Sequence, residues 1–308
     1  MIVSSDGVRV AMVLQPTDAT PITPVFTSAR ITSESLAFAA TTIVSAELDP
    51  SAQVRDSILV GAESTGDLNL EISSHDAFDM YLEAVFGNLF ATNVLIPAKA
   101  LTTYLVEKTF PDVPAIGQNA YHRFSQTGFS SLSLNVTTSQ VITGVASMIG
   151  GVMTTDTAII TGATYPPSGS EEILMPQNVT LLLTGIANGA CLGTLTMNFV
   201  NGMRGVECIG TLGFKEKVRG RFEATISAEM YYANDNAVET LLSQAEFAGT
   251  VTLNDNAGLP QYIFDYPRLK VTAAPVLAGG TGTDVMVGLE LQALYDETLG
   301  YTVEVTRA

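Results

Sequence analysis

The chain has 308 residues, of which 46% are hydrophobic, and it carries 31 acidic residues against 14 basic ones. A chain of this length and hydrophobicity buries about three quarters of the surface that it exposes when unfolded, which excludes a disordered protein and predicts an ordered one of about two domains. The formal charge of −17 argues against nucleic-acid binding, which needs clustered Lys and Arg to neutralise phosphates.

The first residues, MIVSSD, lack the pattern of a signal peptide. We therefore expect synthesis in a reducing cytosol, with the two cysteines, Cys191 and Cys208, as small buried hydrophobes rather than a disulfide. No apolar run approaches the ~20 residues of a membrane span, so no membrane partner is expected.

The N-terminal stretch is predicted to be an extended arm over residues 1–29. Pro16, Pro21 and Pro24 lie in it, and prolines at this density do not support a helix. A first folded unit is predicted to follow over residues 30–161.

A repeated pattern indicates that the chain contains one β-rich unit twice. Residues 66–73 (GDLNLEIS) match residues 220–227 (GRFEATIS) at an offset of 154 (220 − 66), and both alternate apolar and polar residues as a half-buried strand does. A second match pairs residues 103–106 with residues 261–264 at an offset of 158 (262 − 104). We explain the drift by a small insertion before the second helix.

One helix is predicted after each repeated strand. The first covers residues 74–90 with Ser74 as its N-cap, and the second covers residues 234–244 with Asn234 or Asp235 as its N-cap. Their apolar stripes, which we expect to pack on a sheet, are Phe78, Leu82, Val85, Phe86 and Leu89 in the first helix and Val238, Leu241 and Leu242 in the second.

The other segments are mostly strands. Residues 130–137 and 284–294 alternate apolar and polar side chains, and residues 194–209 predict a hairpin that turns at Asn201-Gly202. A linker is predicted over residues 162–176, which are rich in Pro, Gly and Ser, and a second unit over residues 177–308. The predicted fold is mainly β, a tandem duplication of a β-sandwich or barrel unit with one α-helix per unit.

The sequence predicts no catalytic, cofactor-binding or metal site. His75 and His122 are too few for a convincing His-centred site, and the two cysteines lack partners at zinc-ligand spacing. The glycine-rich residues 279–284 precede a strand and predict a hairpin tip rather than a phosphate loop. The charged cluster of residues 215–219 is open to two interpretations, a solvated loop or an arm that contacts an acidic copy of the same protein.

The chain resembles a known family in the order of its motifs. Residues 20–24 (TPITP) followed by residues 30–36 (RITSESL) are similar to the opening of major tail tube proteins of long-tailed, non-contractile bacteriophages. The Gly-strand-Glu pattern of residues 66–71 and the helix around residues 79–84 fit the same family. Similar motifs in the second unit are FVNGMR (199–204), Gly220, Tyr231-Tyr232, YPRL (266–269) and LQALYD (291–296).

This resemblance implies a structural virion protein that catalyses no reaction. It implies that rings of the protein stack into a hollow tail tube that conducts genomic DNA without specific binding, and that the inner barrel is sixfold or pseudo-sixfold. Two units per chain then favour a ring of three chains, with a hexamer of whole chains as the alternative. The implied partners are the protein itself and the tape measure, tail terminator and distal tail proteins, and the implied location is the virion tail after synthesis in the host cytoplasm.

Two sets of residues are candidates for assembly or channel surfaces. The polar sides of the repeated strands are expected to face the lumen or another subunit, and the long connections at residues 50–65 and 203–219 are expected to reach the adjacent ring. The polar candidates are Asp67, Asn69, Glu71, Arg221, Glu223, Thr225 and Ser227, and the stacking-loop candidates are Lys215, Glu216, Lys217 and Arg219.

Two other classes remain open. A capsid decoration protein or another β-rich virion surface protein would also be acidic and free of catalytic residues. A β-rich hydrolase is the enzyme alternative, which two histidines disfavour.

Overall fold

The computed structural model describes residues 4–17, 19–48, 50–51, 53–74, 76–166, 172–184, 186 and 191–307. Over these residues the protein is mainly β, with antiparallel sheets and one α-helix in each half of the chain, as predicted. His75 and most of the predicted linker core, residues 167–171, lie outside the described residues.

The elements fall into two series. The first half contains β1 (Arg9–Leu14), β2 (Thr27–Ser28), β3 (Ile31–Glu34), β4 (Ala37–Val44), β5 (Ser57–Glu71), α1 (Asp76–Phe86), β6 (Val94–Leu95), β7 (Tyr104–Pro111), β8 (Asn119–Thr137), β9 (Thr143–Gly150) and β10 (Met153–Asp156). The second half contains β11 (Val179–Leu183), β12 (Leu192–Val200), β13 (Arg204–Glu207), β14 (Phe214–Val218), β15 (Glu223–Tyr231), α2 (Asn236–Ser243), β16 (Glu246–Asn254), β17 (Pro260–Ala273), β18 (Val276–Ala278), β19 (Val285–Ala293) and β20 (Glu304–Arg307).

The two halves repeat the same strand pairings in the same chain order. In the first half β1 pairs with β7, β3 and β4 with β5, β5 with β9, β7 with β8, β8 with β9, and β10 with β8. In the second half the corresponding pairs are β11 with β16, β12 with β15, β15 with β19, β16 with β17, β17 with β19, and β20 with β17. The helices also correspond, because α1 packs on β8 and α2 on β17.

A broad sheet joins the two halves. The second part of β8 pairs along residues 131–137 with residues 194–200 of β12, so β5, β9, β8, β12, β15 and β19 form one continuous antiparallel run. The first part of β8 leaves this sheet to pair with β7, and β17 does the same with β16. The broad sheet therefore packs its apolar side against a second layer in each half.

One hydrophobic core runs through both halves. Leu68, Leu132, Phe199 and Leu289 are all fully buried on the inner side of the broad sheet. The helix α1 lies where the halves meet, and its Phe86 ring packs 5.4 Å from the ring of Phe199. Burial of this size is the main favourable term in the folding of the chain.

The second repeat match was misaligned. Tyr104 begins β7, the first long strand after α1, whereas Tyr262 lies on β17, the second strand after α2. A larger insertion lies in the first half, where residues 87–103 separate α1 from β7, while residues 244–245 alone separate α2 from β16. The small insertion predicted in the second half is also present, because 24 residues (244 − 220) lead from Gly220 to Gln244 at the end of α2, against 21 (87 − 66) from Gly66 to Gly87 at the end of α1.

The predicted hairpin of residues 194–209 is wrong. β12 pairs with β15 and β8, and β13 pairs with β14, so residues 201–203 lead out into a separate two-stranded arm. Residues 57–65, which were predicted to belong to a loop, are the first part of the long strand β5. A strand pattern in the sequence does not say which strand it joins, because pairing depends on distant residues.

Three burial predictions are also wrong. Cys191 and Cys208 are exposed, since one precedes β12 and the other follows β13 in a turn. Leu89 lies beyond the end of α1, because Gly87 takes a left-handed φ of 69° there. Leu242 belongs to α2 but is 77% exposed. At the start of α2, Asn234 Oδ1 accepts the backbone N–H of Asn236 at 3.1 Å.

The residue limits of the two units and of the N-terminal arm stay predictions. Within residues 1–29, β1 pairs with β7 and buries Val10, Ala11 and Met12, so this strand is an integral part of the first half. Beside it, Glu107 is fully buried and accepts hydrogen bonds from Arg123 Nε at 2.8 Å and from the Tyr165 hydroxyl at 2.7 Å. This group ties β7 and β8 to the segment that follows β10.

Candidate functional site

The broad sheet has one apolar face and one polar face, because its strands alternate strictly. On β15, Ala224, Ile226 and Ala228 are buried, while Thr225 and Ser227 between them are partly accessible. The same alternation holds in β9, in residues 131–137 of β8 and in residues 194–200 of β12. We call the accessible side of this sheet the polar face.

Direct cross-strand neighbours arrange the polar face in rows. Residues that lie opposite each other in adjacent strands share one face of the sheet. The central row is Asn69, Val145, Ser133, Asn198, Thr225, Gln292 and Lys270. The row on one side of it is Glu71, Thr143, Asn135, Thr196, Ser227 and Glu290, and the row on the other side is Asp67, Ser147, Ser131, Val200 and Glu223.

Six of the seven predicted polar residues fall in these rows. Because β8 pairs with β12, the set on β5 and the set on β15 share one continuous face. Side-chain bonds link neighbouring strands across it: Thr196 Oγ1 donates to Asn135 Oδ1 at 3.1 Å, and Ser227 Oγ donates to Glu290 Oε1 at 2.6 Å. The seventh residue, Arg221, precedes β15, and its Nε donates to Glu223 Oε1 at 2.8 Å.

The polar face is hydroxyl- and amide-rich, and its charges are mostly negative. Lys270 is the cation that the pairings place in these rows, and Arg221 lies beside them with Glu223 as its partner. The carboxylates of the face are Asp67, Glu71, Glu223, Glu229 and Glu290. Such a surface offers hydrogen bonds to water and little to hold a phosphate backbone.

Two arms leave the sheet at the end where Asp67, Val200 and Glu223 lie. The first arm is the outer part of the β4–β5 hairpin, residues 37–65, and the second arm is the β13–β14 hairpin, residues 203–219. The first arm exposes an unusual number of large apolar side chains, which are Ile43, Val44, Leu48, Val54, Ile58, Leu59 and Val60. Exposed apolar patches of this kind mark contact surfaces.

The second arm folds back on the first half of the chain. Its Gly213 comes so close to the Ala62 carbonyl that an added Cβ would lie 2.8 Å from that oxygen. Lys215, Glu216 and Lys217 lie on β14 in this arm, with Lys215 and Glu216 exposed.

Arg219, the fourth stacking-loop candidate, is half-buried against the end of α1. Its Nη1 donates to the Ala100 carbonyl at 3.1 Å, and its Nη2 donates to the Val85 carbonyl at the end of α1. Burial lowers the pKa of this guanidinium to about 10. A cation at a helix C-terminus is stabilising, so Arg219 caps α1 across the two halves.

Sequence reasoning missed the partner of Arg219 in this cap. Asn201 is fully buried, and its Nδ2 donates to the carbonyls of Val85 at 3.2 Å and Phe129 at 2.8 Å. Its Oδ1 accepts the backbone N–H of Met203 at 3.0 Å. The Asn-Gly pair had suggested a hairpin turn, and a buried polar group that caps a distant helix leaves no separate signal in the sequence.

The described residues contain no group of three or more His, Cys, Asp or Glu side chains placed to hold a metal ion. His122 lies on β8 with its ring 4.9 Å from the ring of Phe110, and burial beside Lys108 lowers its pKa. Among the helices that the structure describes, none is long and apolar enough to cross a membrane.

A comparison with protein families decides the identity at family level. Residues 6–301 match the family described as phage tail tube protein. The chain belongs to this family. It is therefore a structural component of a bacteriophage tail, and the family is not a family of enzymes. A search of curated proteins found no match.

Proposed function

We propose that this tail tube protein assembles into rings, that the rings stack into a hollow tube, and that the polar face lines the channel through which the genome passes. The observation that carries the proposal is the continuous polar face, which six strands from both halves build together. A decoration protein of the virion surface does not require a polar sheet that continues across both halves of a duplicated fold.

The chemistry of the face suits passage of DNA rather than binding. DNA carries a dense negative charge, and a wall of carboxylates, hydroxyls and amides repels its phosphates while remaining wetted. The apolar side of the same sheet is fully used by the core, so the polar face is the side left for the channel.

The sheet edges support closure into a ring. Within the chain, β8 of the first half pairs with β12 of the second half. In the repeated topology, β8 of the first half corresponds to β17 of the second half, and β12 of the second half corresponds to the β3–β4 segment of the first half. Among the described residues, β3 and β4 pair only with β5, and β18, which follows β17 along β19, pairs only with β19. We infer that the β3–β4 edge of one chain pairs with residues 271–278 of the next, as unpaired strand edges readily do.

This closure favours three chains in a ring. Each chain supplies two topologically equivalent halves, so three chains complete six positions around the channel. A hexamer of whole chains is the alternative, in which one half lines the channel and the other lies outside.

The exposed arms are the proposed contacts between rings. The tip of the first arm exposes Leu48 completely and Val54 at 70%, which suits a hydrophobic contact with an adjacent ring. Lys215, Glu216 and Lys217 of the second arm are proposed to contribute charged contacts at the same end. We also propose that the tube meets the tape measure, tail terminator and distal tail proteins, and that the chain is made in the host cytoplasm.

Negative-stain electron microscopy of the purified protein tests this function. We expect hollow filaments of uniform width with a stain-filled channel. Monodisperse particles that never form rings or tubes would overturn the proposal and would favour a decoration protein of the virion surface.

A further inference from the structure

The two helices end in the same way but in different surroundings. α1 is followed by Gly87 with a φ of 69°, and α2 by Gln244 with a φ of 56°, so both stop at a left-handed residue. When Gly87 and Gln244 are aligned, Val85 corresponds to Leu242, because each lies two positions before its left-handed residue. Val85 is fully buried, whereas Leu242 is 77% exposed.

The base of the second arm is what covers the end of α1. Asn201 and Arg219 both donate to the Val85 carbonyl, and the ring of Phe222 packs 5.1 Å from the ring of Phe86. These three residues belong to the second half of the chain. The end of α1, a helix of the first half, is thus covered by residues of the second half.

The first half carries a similar arm base. At the base of the second arm, Gly220 approaches Gly202 so closely that a Cβ on Gly220 would lie 2.7 Å from the Gly202 carbonyl oxygen. At the base of the first arm, a Cβ on Gly66 would lie 2.5 Å from the Ser35 carbonyl oxygen. Gly66 and Gly220 are the residues that the 154-residue repeat aligns.

A second pair of counterparts points the same way. Two residues after β9, Val152 lies beneath the second arm, because a Cβ on Gly213 would come within 3.3 Å of its side chain. Two residues after β19, Tyr295 is 57% exposed. Leu242 and Tyr295 are therefore the positions in the second half that an arm from the next half would cover.

We propose that the end of α2, with Leu242 at its centre and Tyr295 beside it, is the docking surface for the base of the first arm of a second copy in the same ring. The docking segments are residues 31–44 and 57–66 of that copy. The inference rests on the proposed ring and names the contact that closes it. It separates two roles of the first arm, whose base binds within the ring while its tip reaches the next ring.

The test compares L242R with L259R as a matched control. Leu259 is also an exposed leucine of the second half, at 61%, but it lies in the β16–β17 turn, away from α2. Because a buried unpaired charge is strongly unfavourable at an interface, L242R should lower the assembled fraction in sedimentation by at least about tenfold, while L259R should assemble as the wild type does. Both variants should keep the wild-type circular dichroism and melting temperature as monomers, since both positions are exposed.

A photo-crosslinking amino acid at position 242 identifies the partner segment. In assembled wild-type-like tubes we expect crosslinks to residues 31–44 or 57–66 of another copy. Crosslinks to any other segment, or normal assembly of L242R, would overturn this inference and leave the tube function intact. Failure of the wild-type protein to form rings would instead overturn the proposed function.

Discussion

Tyr262, on β17 of the second half, donates a 2.8 Å hydrogen bond to Asp79 on the helix of the first half. Asp79 is buried and also binds Arg307 of β20, so three distant segments meet on one carboxylate. The ring of Tyr262 packs edge-on against Phe78, 4.9 Å away. This joint and the pairing of β8 with β12 connect the two halves of the chain.

Tyr262→Phe should weaken this joint without reshaping the core. The variant removes one hydrogen bond to a charged group, so the free energy of unfolding should fall by about 1–2 kcal/mol, in a single transition. Urea denaturation of the monomer measures it, with Tyr231→Phe as the control because Tyr231 is 42% exposed. Two separate transitions, or no loss of stability, would show that the halves do not depend on this contact.

Alkaline pH should destabilise the fold. Burial raises the pKa of Tyr81, Tyr104 and Tyr266 well above the ordinary value, whereas the unfolded chain ionises them near pH 10. Above about pH 10 the unfolded state then binds fewer protons than the folded state, so the free energy of unfolding falls by about 1.4 kcal/mol per pH unit for each such tyrosine. Arg219, whose pKa burial lowers to about 10, acts in the opposite direction and offsets part of this loss.

Denaturant titrations at about pH 8 and about pH 11 measure this dependence, with tyrosinate absorbance as the second readout. Tyr81→Phe and Tyr266→Phe should each reduce the slope of stability against pH. A stability that stays constant over this range would contradict the assigned burial of these hydroxyls.

The sequence predicted the alternating strands well, because alternation is a local property. Leu68, Leu70 and Ile72 are all buried, as the period-two pattern requires, and the polar residues between them lie on the opposite face. The pairing of β8 with β12 could not be predicted, since nothing local in residues 131–137 specifies a partner some sixty residues away. The exposure of Leu242 was missed for a related reason: a helix stripe shows which residues are apolar, not which of them its own chain covers.

Reversal of charge on the polar face should make the tube bind DNA that it otherwise lets pass. Glu71→Lys with Glu290→Lys places cations at two positions of one row, whereas Glu172→Lys with Glu297→Lys makes the same net change off these rows. Tubes of the first variant should bind DNA in a salt-dependent manner and slow its ejection, because each added cation neutralises a phosphate. Equal DNA binding by both variants would mean that the polar face does not line the channel.

Polar substitution at the tip of the first arm should separate ring formation from stacking. Leu48→Ser with Val54→Ser removes two apolar side chains that are exposed in the monomer, so monomer stability should change by less than about 0.5 kcal/mol. We expect rings to form and tubes to be short or absent by electron microscopy. Ile22→Ser with Ile116→Ser is the matched control, at 91% and 79% exposure, and tubes of normal length from both variants would exclude a role of the tip in stacking.

The symmetry of the assembled tube and the orientation of its chains decide whether the polar face lines the channel. Cryo-electron microscopy of tubes from the purified chain should resolve rings of three chains, with the rows that contain Asn69, Ser133, Asn198 and Thr225 facing the channel. The six halves should lie around the lumen in pseudo-sixfold order, with β3–β4 of one chain beside residues 271–278 of the next. A true sixfold ring of whole chains would exclude the ring of three chains, and a tube with the polar face turned outward would exclude this face as the channel lining.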